Sequence, residues 1–240
     1  MQEIPNARAA TNDFEFTALE EAWNYRRALI REFGGDLRGE VLEVGAGIGQ
    51  MTQELAAQPG VRRTVAVEPD PSFCAEHRRR LPGCELVQGT VANLPAGSSF
   101  EAILSVNVLE HIGEDAAELA RYFGLLRQRR GCLCLFVPAR PEIYAPLDGD
   151  LGHFRRYTRP ELRRKLEDAG FRVERLHYFN CLGYFAWWFS FCLLKKRSLE
   201  PRQVRLYDRV FFPAVHFLEK RVMRPPFGQS LLAIARAASA

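Results

Sequence analysis

Several absences narrow what this 240-residue chain can be. Its six cysteines (Cys74, Cys84, Cys132, Cys134, Cys181, Cys192) include no C-x-x-C pair and sit mostly inside apolar stretches, so they read as reduced core residues rather than a disulfide framework. The first sixteen residues have no apolar core of the kind that follows a charged secretory leader, and a cytoplasmic location is expected. The most apolar run, 178–194, falls short of the roughly 20 residues a spanning helix needs. Repeats and low-complexity tracts are missing. The histidines at 77, 111, 153, 177 and 216 show no ligand spacing, and Cys132 and Cys134 stand alone on one strand, so no metal site is expected. Charge of one sign is also scarce: the net +4 comes from scattered basic clusters at 78–80, 129–130, 155–156 and 195–197, and no nucleic-acid partner is expected.

With 47% hydrophobic and 26% charged residues, disorder is excluded. From about residue 40 to 180, short runs rich in Val, Ile and Leu alternate with amphipathic charged segments, the pattern of βα units around a parallel sheet. Strands are expected at 40–44, 63–67, 84–88, 100–106, 131–137 and 171–179, and helices at 49–57, 71–81, 114–128 and 159–169. The fold class is therefore α/β. One domain is expected: a leading helix over 15–33, ended by Gly34 and Gly35, then a core over 38–180. A helical cap over 181–228 and a closing seventh strand within 229–240 complete it.

The most informative stretch is 41–49, Val-Leu-Glu-Val-Gly-Ala-Gly-Ile-Gly, a strand entering a glycine-rich turn and then a helix. Glycines there let the backbone turn sharply beneath a ligand, and the helix start offers free N–H groups. Nineteen residues past Gly49 a second strand ends at Glu68, placed to accept hydrogen bonds from ribose hydroxyls. A dinucleotide fingerprint needs its third glycine at position 50, which is Gln50, so the nicotinamide-dependent oxidoreductase alternative is disfavoured.

These residues resemble the class I S-adenosylmethionine (SAM)-dependent methyltransferases, whose first motif, (E/D)-x-G-x-G-x-G, is matched by Glu43, Gly45, Gly47 and Gly49. Residues 100–112, ending Asn-Val-Leu-Glu-His-Ile, look like the family's fourth-strand motif. The resemblance implies a Rossmann-like, seven-stranded, mostly parallel sheet with helices on both faces, and SAM as cofactor. It places the methionine part over Gly45, Ala46, Gly47 and Gly49, the ribose at Glu68 and Pro69, and the sulfonium end beside Val106 and Asn107. The adenine contact falls on Gly89, Thr90 and Val91, where Thr90 stands at the position of the family's usual acid. The leading helix resembles a version in which Asn24, Tyr25 and Arg27 face the cofactor, Arg27 pairing with its carboxylate.

An oxygen or nitrogen acceptor would gain from a general base, and His111 and His153 are the candidates. His153 lies in Gly-His-Phe-Arg-Arg-Tyr-Thr (152–158), whose arginines could clamp an anion; the bland alternative is a packing loop that caps the helix from Thr158. In the cap, Val204, Tyr207, Phe211, Val215, Leu218 and Val222 recur at helical intervals. The pair of helices over 181–224 is a lid on an apolar acceptor pocket, a peripheral contact with the inner face of a membrane, or ordinary core or dimer packing. Similar tails resemble those of enzymes in lipid-linked or glycan pathways, which implies a small hydrophobic or lipid-linked acceptor. A SAM- or lipid-binding module without catalysis is the third reading, and the missing (D/N)-P-P-(Y/F) argues against DNA amino-methylation.

Overall fold

Near-continuous burial of the central strands, with helices on both faces of the sheet, builds the molecule in layers. The computed structural model describes residues 20–198, 200–221 and 225–238. Its seven strands are β1 (Gly39–Val44), β2 (Val61–Glu68), β3 (Glu85–Gln88), β4 (Ala102–Val106), β5 (Cys132–Pro138), β6 (Phe171–Phe179) and β7 (Ser230–Ala237). They form one sheet in the order β3-β2-β1-β4-β5-β7-β6, parallel except for β7, which runs antiparallel between β5 and β6. β5 is buried at every residue, as expected where helices cover both faces.

Successive side chains point to opposite layers. Leu42, Ile103 and Leu133 pack with Leu119, Tyr122 and Leu126 of α4 (Asp115–Arg127) and Leu162 and Leu166 of α6 (Arg159–Asp168). Val41, Leu104 and Cys134 pack on the other side with Leu29 and Phe33 of α1 (Trp23–Phe33) and Leu55 of α2 (Gln50–Ala56). The expected starts hold: Asp70 accepts from the N–H groups of Ser72 and Phe73 to cap α3 (Pro71–Arg80), and Thr158 accepts from Glu161 N–H at 3.3 Å to cap α6. A short helix over α5 (Pro146–Asp150) was not foreseen. All six cysteines are free, three buried and three half-buried.

The leading helix differs from its expected span. Residues 20–21 are helical, but Ala22 breaks the helix at φ −91° and ψ 51° and α1 begins at Trp23. The cause lies far along the chain: the buried carboxylate of Asp208 accepts from Asn24 N–H at 2.9 Å and Tyr25 N–H at 2.8 Å, capping the helix there. Residues 15–19 of that expectation lie outside the described residues.

The cap comprises α7 (Cys181–Trp187), extended by a π-helical turn at Trp188–Leu193, then α8 (Pro201–Leu206), a second π turn at Tyr207–Phe211, and α9 (Phe212–Arg221). Val222, the last position of the expected apolar stripe, lies outside the described residues. Polar fastenings hold the cap. Glu219 accepts from Asn180 and Cys181 N–H at 3.1 and 2.6 Å, the Trp187 indole donates to the Ile143 carbonyl at 3.1 Å, and Lys220 pairs with buried Glu32 at 2.9 Å. Among the described residues no helix is long and apolar enough to cross a membrane.

Candidate cofactor and acceptor site

Strand order reverses between β1 and β4, which opens a crevice at their carboxyl ends. Gly45, Gly47 and Gly49 all take left-handed φ values of +73°, +52° and +91°. A Cβ on Gly45 would stand 2.4 Å from Val108 Cγ2, so the turn admits glycine on both conformational and steric grounds. Gly45 and Ala46 donate to the Val67 carbonyl at 2.9 and 3.1 Å. Gly47 donates to Glu68 Oε2 at 2.8 Å, and Asp70 N–H bonds Oε1 at 2.9 Å. Each oxygen keeps a second lone pair for a hydroxyl, which suits a ribose diol. Burial raises the Glu68 carboxyl above its ordinary value, opposed by those two N–H bonds. Pro69 follows, exposed at the crevice edge. Gly89 N–H bonds the Glu68 carbonyl at 2.8 Å and so brings the end of β3 to the same place.

Thr90 has a local explanation. Its N–H donates to Asn93 Oδ1 at 2.9 Å and its hydroxyl accepts from Ala92 N–H at 3.3 Å, so it caps the turn Val91–Asn93 and leaves Val91 buried against the sheet.

Glu43 is wholly buried behind this turn, and burial pushes its carboxyl up to about 8, with the Thr52 hydroxyl opposing and the Glu68 charge adding. A folded-state value above the unfolded 4.5 means the native chain holds a proton that the unfolded chain has released. Stability from this group is therefore complete below pH 4.5 and is lost as pH rises to about 8. At about 1.4 kcal/mol per unit, Glu43→Gln should gain a few kcal/mol over the native chain at the alkaline end of that window and little at the acid end. Urea unfolding across the window measures it; a difference independent of pH would mean Glu43 is already ionised.

Beyond Asn107 lies a cavity of about 430 Å³, within the range of small-molecule sites. Its polar end holds Asn107, Glu110, His153, Arg156 and Asn180, and its apolar wall includes Leu147, Trp187, Phe191, Val204 and Phe211. Asn107 is in the left-handed region, φ +52°, a conformation asparagine tolerates and functional sites collect. The segment Val106 to Val108 is the shared wall: Val108 touches the glycine turn and Asn107 faces the cavity.

Inside the cavity, His153 Nδ1 meets Asp148 Oδ1 at 2.8 Å. Asp148 is fully buried and also accepts from Ala145 N–H at 2.8 Å and from the Arg156 guanidinium at 2.9 Å. Burial alone would raise its carboxyl, but the His153 hydrogen bond and the Arg156 charge outweigh it and hold the group below the ordinary range. An ionised acceptor at Nδ1 keeps the ring proton there and leaves Nε2 as the basic nitrogen. His111 lies edge-on to His153, centroids 4.7 Å apart.

Two sequence expectations need correction. Histidines scattered in sequence do converge: donor atoms of Glu110, His111 and His153 lie within 4.8 Å of one another, so the absence of ligand spacing does not exclude a metal-binding geometry. The arginines of 152–158 do not form an anion clamp, because Arg155 pairs with Asp115 at 2.7 Å and Arg156 with Asp148 at 2.9 Å, each satisfied within the fold. The Asn24 side chain donates to the Asp208 carbonyl at 3.1 Å. Tyr25 lines this cavity and packs edge-on against Phe179, and the Arg27 guanidinium lies over the Trp23 ring at 4.5 Å. Glu110, Asp148, Asn180 and Asp208 were missed as site residues, since no local spacing links groups drawn together from distant segments.

Comparison with known proteins agrees with this geometry. A family described as a methyltransferase domain matches residues 41–129. A Mycolicibacterium smegmatis protein assigned as a SAM-dependent methyltransferase is 31% identical over 178 residues, 71% of this chain and 68% of that protein. A Bacillus halodurans crystal structure assigned as a methyltransferase superposes with a TM-score of 0.61 at 23% identity, over 88% of this chain and 97% of that one. The complex of DhpI with SAH gives a TM-score of 0.59 at 18% identity, over 98% and 94% of the two chains.

Proposed function

Since this chain belongs to the SAM-dependent methyltransferases, we propose that it methylates an oxygen or nitrogen at the polar end of a small amphiphile, of the lipid or lipid-linked class, whose apolar part fills the cavity under the cap. SAM is the cofactor, and when bound it supplies a methyl group already activated on a sulfonium. Membership of this family removes the oxidoreductase alternative. Glu68 holds the sugar hydroxyls, the glycine turn carries the chain beneath the amino-acid end, and Asn107 stands between cofactor and acceptor. The apolar wall excludes water and orients the acceptor, work worth about 7–11 kcal/mol in favourable cases. His153, fixed by Asp148, takes the acceptor proton on Nε2.

The observation that carries this reading is one cavity beside Asn107 whose lining is mostly apolar, with Leu147, Trp187, Phe191, Val204 and Phe211, and also holds the polar groups of Asn107, Glu110 and His153. Its test is a series of acceptors with one hydroxyl or amino head and a lengthening alkyl tail. At about 0.8 kcal/mol per buried methylene, KM should fall roughly fourfold per carbon until the cavity is full. A KM indifferent to tail length would overturn the assignment.

A second reading of the polar end rests on the meeting of Glu110, His111 and His153. Turnover that vanishes with a chelator and returns with a divalent cation would make them metal ligands. Turnover indifferent to chelation leaves His153 as base.

A further inference from the structure

We infer that the cap docks on an anionic lipid bilayer and that the acceptor enters the cavity from it. This deepens the proposed function and rests on its reading of the cavity.

The first observation is apolar surface. Phe185, Trp188, Phe189, Leu193, Phe211 and Phe217 are each 45 to 60% exposed, all within the cap. Soluble proteins scatter single exposed apolar side chains, whereas a gathered set of aromatic residues marks an interaction face. Aromatic rings suit the boundary between headgroups and acyl chains. The second observation is charge. Residues 185–221 carry eight Lys and Arg against three Asp and Glu. Arg197, Arg205 and Lys220 pair with Asp150, Glu21 and Glu32, while among the described residues Lys195, Lys196 and Arg202 form no ion pair. All three are exposed. An apolar face bordered by uncompensated cations fits negatively charged headgroups better than a neutral or cationic partner.

The third observation joins the face to the site. Leu206 and Phe211 line the cavity and are also 57% and 48% exposed, so one apolar surface runs from the inner wall to the outer face. A hydrophobic acceptor would pass along it without crossing water. No helix among the described residues spans a membrane, so the contact lies in the interface.

Flotation of the full chain with vesicles tests this, using pure phosphatidylcholine and a mixture with phosphatidylglycerol. Binding is expected to the mixture, to weaken with salt, and to fall about tenfold or more in each of two variants, Trp188→Glu with Phe189→Glu and Lys195→Glu with Lys196→Glu. None of the four residues lines the cavity, so SAM affinity and turnover of a short soluble acceptor should stay unchanged in both. Failure of the native chain to bind the mixed vesicles, or binding untouched by both variants, would overturn the inference. Self-association through this face, lost in the Trp188→Glu, Phe189→Glu variant without any vesicle binding, would assign it to a second copy instead. Because the assay reads binding and not turnover, docking can fail while the acceptor series succeeds, and the reverse.

Discussion

Gly47→Val is expected to abolish SAM binding while the protein stays folded. Gly47 occupies φ +52°, and its N–H is the donor that orients Glu68 Oε2 at 2.8 Å. A β-branched side chain meets two obstacles there: it disfavours the left-handed backbone by about 1–3 kcal/mol, and it adds bulk to the turn proposed to carry the cofactor. Affinity should fall at least about 100-fold, equivalent to roughly 2.7 kcal/mol. Gly34→Val separates strain from blockage. Gly34 also has left-handed φ, +54°, but a Cβ added there meets nothing within 4 Å, and it ends α1 away from the crevice. Both variants should lose thermal stability, while only the first loses calorimetric binding of SAM. Retained binding in Gly47→Val would displace the cofactor from this turn.

The parts of the molecule legible in sequence are those set by short-range rules. Strands β1, β4 and β5 showed as apolar runs and β7 as the apolar stretch 231–237, because a strand covered on both faces has little room for polar side chains, while β6 showed through its mixed apolar and charged pattern. The glycine turn was legible because only glycine tolerates both the left-handed backbone and the approach of Val108. The acceptor end was not. Asp148 and His153 are five residues apart, yet nothing in that spacing shows that Arg156 and Ala145 bury and charge the carboxylate. Asp208 shortened the leading helix across a separation of 184 residues, beyond any local capping rule. Thr90 gains a role that the motif comparison does not show: it stands at the position of the expected acid and also caps its own turn with Asn93.

The acceptor end also gives the second large effect, which tests His153 as the proton acceptor. His153→Ala should lower kcat by about 10²- to 10⁴-fold, the usual contribution of a positioned general base. SAM affinity should be unchanged, because the crevice proposed for the cofactor, at residues 43–49, 68 and 89, meets this end through the wall of Asn107 and Val108. A merely structural histidine could also slow the enzyme, so two further readings matter. The acid limb of the pH–rate profile should disappear in the variant, and free imidazole, entering the space vacated beside Asp148, should restore part of the rate. Asp148→Asn acts differently, since Asp148 positions His153 and also neutralises Arg156, whose side chain is 1% exposed. Leaving that guanidinium buried without its anion costs about 3–5 kcal/mol of stability. The double variant Asp148→Asn with Arg156→Met removes both partners and should recover much of that loss. It should not recover the rate, because an amide no longer selects the Nδ1 proton of His153. If the double variant regains full turnover, or His153→Ala stays within about tenfold of the native rate, His153 is a packing residue and the acceptor loses its proton to water.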